Sequence, residues 1–320
     1  MMSLPDFKEK KILFVSACHD ETKVKIHNEN IALVKDGQIV NQLSCHKVFA
    51  LFIIGDTSLT TPLIRKCRQL AVSLFLLKPN FEVYAKVIAE AEGNYLLRER
   101  QYNLTKEEEL VFAKNLIQNK LNNQLFLLKE RKLITTAQMK EKLVTLNQKI
   151  NQVKYPKELL GIEGGQTKEY FSLYFGKYNW YKRLPRTKVD ITNYLMDIGY
   201  TFLFNFFEAL LALYGFDTYK GIYHKLFFQR KSLACDLIEP FRCLIDRQIT
   251  KSYNLKQINA KDFKMQKGQY FLPFDKQQKY IQMFFNCITD YKEESFKYVN
   301  QFYHCLMDKQ KEYPSFLIKR

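Results

Sequence analysis

The chain has 320 residues, of which 47% are hydrophobic and 26% are charged, a composition that excludes an intrinsically disordered protein and, at this length, favours two domains. Its 50 lysines and arginines exceed its 33 aspartates and glutamates, which leaves a net charge of +17. Such a surplus is typical of proteins that bind a polyanion, with nucleic acid as the first candidate and an anionic membrane surface or a merely lysine-rich composition as the alternatives.

Neither the apolar runs nor the N-terminus indicates a membrane or secreted protein. The longest apolar stretch, 202–216, is shorter than the roughly 18–20 residues of a membrane span and contains Asn205 and Glu208. The first residues have no apolar signal core, and the seven cysteines have no C-x-x-C spacing. We therefore expect a cytoplasmic protein with reduced cysteines and no membrane partner.

The N-terminal part of the chain is predicted to be rich in strands. Apolar runs or alternating apolar residues predict strands at 11–16, 24–33, 38–40, 48–54 and 72–77. Asp36-Gly37 is typical of a hairpin turn. Residues 60–70 are predicted to form a helix, with Pro62 in its first turn.

From about residue 93 the pattern becomes helical. Thr105 and Glu108 form a capping box that opens a long helix towards Lys129. Further helices are predicted at 136–154, 157–175, 190–214, 233–248 and 275–310. The predicted fold is therefore α+β, with a small β-rich N-terminal domain (1–92), a linker (93–104) and a larger all-helical catalytic domain (105–320).

Two segments place a possible metal ligand among glycines. Glu163 lies in Gly-Ile-Glu-Gly-Gly, residues 161–165, where the lack of bulky neighbours gives a metal ion or a phosphate close access. The alternative is a solvated glutamate at a kinked helix start. His224 follows the glycine-marked turn 215–221 and either points into a cleft or caps a helix C-terminus.

A third segment contributes two further acids. On a helix, Asp236 and Glu239 share a face, where their repulsion requires a cation or a basic side chain between them. The alternative is that both acids are exposed and pair with Arg242 or Arg247. Carboxylates and imidazole are ligands of Mg²⁺ and Mn²⁺, and in a basic protein they indicate phosphodiester chemistry.

Four ordered segments resemble the successive signatures of one protein family, the CRISPR-associated integrase/endonuclease of the adaptation module. They are Glu163 in GIEG with the following Tyr170-Phe171, Arg186-x-x-x-Asp190-x-x-Asn193, GFDTYKGIYH ending at His224, and SLACDLIEPFR at 232–242. Together they span about residues 160–248. The β-rich N-terminal region agrees with the family fold.

The resemblance implies a metal-dependent DNA integrase and endonuclease. In this family the 3′-hydroxyl ends of a short foreign DNA, the prespacer, attack phosphodiester bonds at the two ends of a CRISPR repeat without consuming ATP. By resemblance, Glu163, His224 and Glu239 are the ligands of Mg²⁺ or Mn²⁺, and Asp236 is a further catalytic acid beside the metal. The alternatives are a catalytically silent DNA-binding scaffold and a general metal-dependent nuclease.

The resemblance also implies partners. They are double-stranded prespacer DNA, CRISPR repeat DNA, a second copy of this chain, and a small ferredoxin-like adaptation protein. In the family, a dimer of that small protein bridges two integrase dimers, and some subtypes add an iron–sulfur nuclease that trims the incoming DNA. We expect the homodimer to form through residues 1–92, whose strand edges need covering.

Basic and aromatic residues alternate between 177 and 188, where no acid occurs. We expect the basic side chains to bind phosphates and the aromatic rings to stack on unpaired bases. The alternative is a solvated loop whose aromatic rings pack on the core. The residues expected to contact DNA are Lys182, Arg183, Arg186, Asn193, Lys225, Arg230, Arg242 and Tyr170.

Overall fold

The computed structural model describes the chain at residues 2–17, 22–91, 93–178, 180–224, 228–308 and 312–319. Strands dominate the first part of the chain and helices dominate the rest. The predicted α+β class is therefore confirmed. The described cysteines are free thiols, all buried apart from the half-buried Cys235, whereas Cys18 lies outside the described residues.

The N-terminal region contains two four-stranded sheets. Its elements are α1 (Leu4–Glu9), β1 (Lys11–Ala17), β2 (Lys23–His27), β3 (Asn30–Lys35), β4 (Gln38–Ser44), β5 (Val48–Gly55), β6 (Ser58–Leu59), α2 (Thr61–Gln69), β7 (Ser73–Leu77) and β8 (Val83–Val87). The first sheet has the order β1-β5-β7-β8, with β8 antiparallel to three parallel strands. The second has the order β4-β3-β2-β6, in which β2, β3 and β4 are antiparallel.

Some strands differ from the prediction. The predicted strand 24–33 is two strands, β2 and β3, joined at Asn28 and Glu29, whose positive φ angles of 44° and 59° are those of a tight hairpin turn. Because apolar residues alternate on both sides of the turn, the sequence pattern did not indicate the turn. Neither α1 nor β8 was predicted; the three central residues of β8 are exposed, so that strand has no apolar pattern.

The remaining elements are mostly helices. They are α3 (Tyr95–Tyr102), α4 (Lys106–Glu130), α5 (Thr136–Gln152), α6 (Pro156–Phe175), α7 (Ile191–Tyr214), α8 (Ser232–Leu237), α9 (Arg242–Asn254), β9 (Lys264–Gln266), β10 (Gln269–Phe271), α10 (Phe274–Asp290) and α11 (Lys292–Met307). The capping box at Thr105 and Glu108 is present at the start of α4.

Two expectations for this region are wrong. The segment 93–104 is not only a linker, because it contains α3, which begins after Asn94 as an N-cap. The region 105–320 is not all-helical, because β9 and β10 form an antiparallel hairpin around Lys267 and Gly268, both with positive φ. Each strand of this hairpin has three residues, too few for an apolar alternation to stand out.

Two predicted helices are each divided. The predicted helix 233–248 is broken by a short 3₁₀ turn at Glu239–Phe241, between α8 and α9. Pro240 has no backbone N–H and disfavours helical geometry in the residue before it, which explains the break. The predicted helix 275–310 is α10 and α11, which meet at Tyr291.

The first sheet and the helices share one apolar core. The ring of Phe52 on β5 lies edge-on to Phe202 of α7 at 5.9 Å and to Phe285 of α10 at 5.0 Å. Phe49 makes the same kind of contact with Phe206 at 5.8 Å. A second, smaller core lies between the two sheets and α2. The sheet therefore carries helices on one face and the second sheet on the other.

Helix α7 lies at the centre of the larger core. Within the part of the chain that the structure describes, it is the one helix long and apolar enough to cross a membrane. Its most apolar stretch is 83% buried inside the protein, so the composition of α7 is that of a core helix.

Helix α6 contains Gly161, Gly164 and Gly165, whose spacing places them on one face. A methyl group added to any of them would meet open space. Because glycine in a helix costs about 0.5–1 kcal/mol relative to alanine, we expect Gly164→Ala and Gly165→Ala each to raise the free energy of unfolding by that amount. Urea denaturation of the two variants is the measurement, and a lowered midpoint in either would contradict this description of the face.

Candidate active site

The structure brings Glu163 of α6 and Glu239 of the 3₁₀ turn together around one lysine. Lys120 Nζ, from α4, lies 2.5 Å from Glu163 Oε1 and 2.8 Å from Glu239 Oε2. All three side chains are at least 87% shielded from solvent. A buried cation thus lies between two carboxylates that are 76 residues apart in the sequence.

The charges of this cluster stabilise one another. Burial disfavours the charged form of Lys120, but the carboxylates of Glu239 and Glu163 outweigh it and raise the lysine pKa above its usual value. Burial alone would also raise the pKa of Glu239, yet Arg242 and Lys120 lower it to about 2. Arg242 Nε lies 3.1 Å from Glu239 Oε1. Glu239 is therefore ionised at neutral pH.

His224 is held in place by Asp236, which is 1% exposed. His224 Nδ1 lies 2.6 Å from Asp236 Oδ1, and the His224 backbone N–H donates to the same oxygen at 2.9 Å. The N–H groups of Ile222 and Tyr223 donate to Oδ2 at 2.7 and 3.0 Å. With Nδ1 engaged, Nε2 is the ring nitrogen available to a ligand.

Asp236 is thus a positioning residue in this structure, since its oxygens hold the loop 222–224 and the histidine ring. Gly221 lets this loop approach α8 closely. A methyl group there would come within 2.5 Å of Ser232 Cβ and 3.0 Å of Asp236 Oδ2, closer than van der Waals contact permits. The glycine-marked turn seen in the sequence therefore serves the packing of the histidine loop.

Two residues of the site were not foreseen from the sequence. The Tyr223 hydroxyl donates a hydrogen bond to Glu163 Oε2, which joins the histidine loop to α6. Lys120 is the second, and a signal for it existed: it lies three and four residues after the buried Ile117 and Leu116, hence on the apolar face of α4. A lysine on such a face needs a buried partner.

The residues present suit a divalent cation, although Lys120 now lies between the carboxylates. Among the described residues, no three His, Cys, Asp or Glu side chains are arranged as a ready-made metal site. Glu239 Oε2 is buried and accepts no hydrogen bond of ordinary geometry, in spite of the nearby Lys120 ammonium. Two carboxylates and a neutral imidazole are donors that Mg²⁺ and Mn²⁺ accept. The donor types of the cluster are therefore those of a divalent-cation site, with the Lys120 ammonium between the two carboxylates in this structure.

The structure corrects two of the expected DNA contacts. Tyr170 is buried, and its hydroxyl donates to the buried Asp246 at 3.0 Å. Burial raises the pKa of Asp246 to about 6, even though Tyr200 and Tyr170 both donate to it. Asn193 is fully buried at the start of α7, where its amide nitrogen donates to the Lys182 carbonyl at 2.9 Å. Both residues hold the fold together and are closed to DNA.

Two half-buried arginines from the same set are also paired within the protein. Arg183 Nη2 lies 2.5 Å from Asp197 Oδ1, and Arg183 Nη1 donates to Asn193 at 2.9 Å. Arg242 pairs with Glu239 and lies over the Tyr200 ring, 4.7 Å from its centroid. Spacing along the sequence does not distinguish such paired arginines from free ones.

The other expected DNA contacts are at the surface or outside the described residues. Lys182, Arg186 and Arg230 are exposed, whereas Lys225 lies outside the described residues. Of the aromatic side chains in the segment 177–188, two pack on the core and one is exposed, as stacking on an unpaired base requires. Trp180 is buried against Phe171 and Phe175, and Tyr178 stacks on Tyr253. The Tyr181 ring, by contrast, is 85% exposed.

A family model described as CRISPR associated protein Cas1 matches residues 16–286. A CRISPR-associated endonuclease Cas1 of Thermodesulfovibrio yellowstonii is 26% identical over 255 residues, which cover 76% of this chain and 80% of the relative. Another, from Rhodospirillum rubrum, is 27% identical over 297 residues and 85% of each chain. Both relatives therefore resemble this chain over most of its length.

Solved structures have the same fold. A Cas1 protein from Thermotoga maritima has a TM-score of 0.81 at 18% identity and covers 97% of this chain and 100% of its own. A casposase bound to its integration product has a TM-score of 0.78 at 20% identity, covering 97% and 95%. A chain of a Cas6-RT-Cas1–Cas2 complex has a TM-score of 0.76 at 22% identity, covering 96% and 36%.

The family match extends from β1 into α10 and includes every residue of the Glu163–Lys120–Glu239 cluster and of the His224 loop. The resemblance read from the four sequence segments is thereby confirmed, and the chain belongs to the Cas1 family of CRISPR-associated integrases and endonucleases.

Proposed function

We propose that this chain is a metal-dependent DNA integrase/endonuclease of CRISPR adaptation, which joins 3′-OH ends of a prespacer to a CRISPR repeat by phosphodiester transesterification. The observation that carries the proposal is the convergence of Glu163 and Glu239 on a buried cation position. The net charge of +17 supports a DNA substrate. The casposase neighbour, described as bound to an integration product, supports the same chemistry.

The proposed ligands of Mg²⁺ or Mn²⁺ are Glu163, His224 and Glu239. Such an ion, when bound, neutralises charge on the non-bridging phosphate oxygens and on the attacking or leaving oxygen. The chain itself keeps Glu239 ionised through Arg242 and orients the His224 ring through Asp236. Tyr223 fixes the carboxylate of Glu163. These contacts hold the ligand atoms before an ion arrives.

The proposed reaction balances without a cofactor that supplies energy. The 3′ oxygen of the prespacer forms a bond to the phosphorus at the end of the repeat, and the bond from that phosphorus to the 3′ oxygen of the nucleotide that flanks the repeat breaks. The proton of the attacking hydroxyl is lost and the leaving oxygen gains one. One phosphodiester replaces another, which agrees with a site made of carboxylates, imidazole and basic side chains.

The test is a joining assay with the purified chain, the small ferredoxin-like adaptation protein, a labelled duplex bearing 3′-OH ends, and repeat DNA. We expect joined product with Mn²⁺ or Mg²⁺ and none in EDTA. DNA binding without metal-dependent joining would identify a silent scaffold instead. Degradation of all DNA without joining would identify a general nuclease.

We further propose that the chain works as a homodimer with a small ferredoxin-like adaptation protein, whose dimer bridges two integrase dimers. Strand β4 supports a homodimer, because among the described strands it pairs only with β3, and its Val40 side chain is 56% exposed. Exposed strand edges favour pairing with a second chain. The structural neighbour in a complex with Cas2 supports the second part.

The exposed basic residues Lys182 and Arg186 are the proposed phosphate contacts of the segment 177–188. Each phosphate contact changes the slope of log affinity against log salt by about 0.7–0.9. We therefore expect Lys182→Ala combined with Arg186→Ala to weaken DNA binding and to reduce that slope by about 1.4–1.8. Fluorescence anisotropy over a salt series is the measurement.

The matched control replaces two exposed lysines of α5, Lys140 and Lys149, by alanine. It removes the same charge from another surface, and we expect its slope to stay close to that of the unmodified protein. Equal slopes in the two double variants would mean that net charge, and not a contact at 182 and 186, explains the binding. Arg183→Ala should instead lower the melting temperature, because Arg183 pairs with Asp197.

A further inference from the structure

The segment 312–319 contacts, through Phe316, the turn that carries Glu239. Pro314, Phe316 and Ile318 are buried, whereas Ser315, Leu317 and Lys319 are exposed. This period of two is that of a strand with one face against the protein. A strand normally pairs with backbone groups of its neighbour. The neighbour of this segment is helix α4, whose backbone groups are already hydrogen-bonded within the helix.

Two asparagine side chains of α4 take the place of a pairing strand. Asn119 Nδ2 donates to the Phe316 carbonyl at 2.5 Å, and the Phe316 N–H donates to Asn119 Oδ1 at 2.9 Å. Asn123 Nδ2 donates to the same carbonyl at 2.9 Å, and the Ile318 N–H donates to Asn123 Oδ1 at 3.1 Å. All of these atoms are buried, so their hydrogen bonds fix the position of Phe316.

Phe316 and Asn123 in turn contact the residues directly after Glu239. The rings of Phe316 and Phe241 are stacked, with centroids 4.0 Å apart and an interplanar angle of 12°. Asn123 Nδ2 also donates to the Pro240 carbonyl at 3.0 Å. The turn Glu239–Phe241 is therefore supported by the amide of Asn123 and the ring of Phe316.

The same stretch of α4 carries Lys120, between Asn119 and Asn123. One turn of helix thus contacts both the carboxylate of Glu239, through Lys120, and the carbonyl of the next residue, Pro240, through Asn123. Glu163 lies on a different helix, α6. A tilt of the 239–241 turn would change the separation of the two carboxylates, and this separation decides whether both can reach one ion.

We propose that Phe316, fixed by hydrogen bonds from Asn119 and Asn123, is a positioning residue. It holds the Glu239 carboxylate at the distance from Glu163 at which both can bind one metal ion. This inference rests on the proposed function. Phe316 acts through Phe241, and Asn123 through the Pro240 carbonyl. Neither touches the ion or DNA. Loss of a group that hydrogen-bonds a metal ligand directly typically weakens metal binding by about 10–100-fold, and Phe316 lies one contact further out, so we expect the lower end of that range or less.

The experiment compares Phe316→Ala with Ile318→Ala in the full chain. Both variants lose a buried apolar side chain of the same segment, and both should melt at a lower temperature. Only Phe316→Ala loses the ring stacked on Phe241. We expect it to raise the Mn²⁺ dissociation constant, measured by electron paramagnetic resonance of free Mn²⁺, by a factor between about three and about ten. Ile318→Ala should bind Mn²⁺ like the unmodified chain.

Equal Mn²⁺ affinities in the two variants would overturn the inference and leave Phe316 with a structural role only. Phe316→Leu, which keeps an apolar side chain but loses the ring stack, gives the same comparison with a smaller loss of stability. A chain without any substitution that binds no Mn²⁺ and joins no DNA would instead refute the proposed function. If the unmodified chain binds Mn²⁺ and joins DNA, and Phe316→Ala leaves the Mn²⁺ affinity unchanged, only this inference is refuted.

Discussion

Replacing Glu239 by glutamine is expected to abolish metal-dependent joining of DNA while leaving DNA affinity almost unchanged. The amide keeps the size of the side chain but loses the negative charge that attracts a divalent ion. Affinity for DNA depends mainly on phosphate contacts at the exposed basic surface, which this substitution does not touch. A gel assay of joined product and a binding titration measure the two effects separately.

Glutamine is preferred to alanine because of the neighbours of Glu239. Lys120 and Arg242 both pair with this carboxylate, and alanine would leave the buried Lys120 ammonium and the half-buried Arg242 guanidinium facing a cavity. Removing one partner of a buried pair costs about 3–5 kcal/mol, so loss of activity could then reflect unfolding. The melting temperature of Glu239→Gln separates these causes.

Glu169→Gln is the matched control, since Glu169 lies on α6 and pairs with Lys142 at the surface. We expect this variant to join DNA at the rate of the unmodified chain. Joined product from Glu239→Gln at saturating Mn²⁺, in amounts similar to the control, would remove Glu239 from the metal site and with it the proposed mechanism.

The sequence signals for the fold were strong where side chains alternate or repeat. The buried strand β5 and the long helices α4 and α7 could be predicted because packing on one or both faces dictates their apolar residues. Strand β8 and the hairpin β9–β10 could not, since their side chains are mostly exposed. Their positions depend on pairing with a neighbour, which local composition does not encode.

The residues of the candidate site that lie in short recognisable motifs could be predicted from the sequence. Glu163, His224 and Glu239 each stand in a segment with recognisable neighbours, and the structure places two of them on the same lysine. Lys120 comes from a helix more than 40 residues before Glu163, and only tertiary packing assigns its partners. The partners of Arg183 and Asn193 also depend on tertiary packing. Both residues were therefore expected at the DNA surface, whereas Arg183 pairs with Asp197 and Asn193 is buried.

Lys120→Met is expected to make the stability of the protein depend on a divalent metal. In the unmodified chain the Lys120 ammonium lies between Glu163 and Glu239, so it offsets part of the charge of the two carboxylates without any metal ion. Methionine has nearly the same length but no charge. In EDTA the variant leaves two buried carboxylates without their shared partner, a loss of about 3–5 kcal/mol in the free energy of unfolding.

Mn²⁺ should restore most of this loss, and it should bind more tightly than to the unmodified chain. The reason is electrostatic: a divalent ion bound to both carboxylates lies close to the position of the ammonium, and like charges at that distance repel strongly in a buried site. In the unmodified chain part of the binding energy is used to move Lys120 away. Thermal melts in EDTA and in Mn²⁺, together with titration of free Mn²⁺ by electron paramagnetic resonance, measure both effects.

Lys114→Met is the control for Lys120→Met, because Lys114 lies on the same helix and donates to the Asn151 carbonyl, away from the carboxylates. The change in its melting temperature on adding Mn²⁺ should equal that of the unmodified chain. A Lys120→Met variant with unchanged Mn²⁺ affinity but without joining activity would assign Lys120 to the DNA phosphate instead. The buried ammonium would then remain beside the ion during the reaction, and Glu163 and Glu239 would have to bind the metal through their other oxygens.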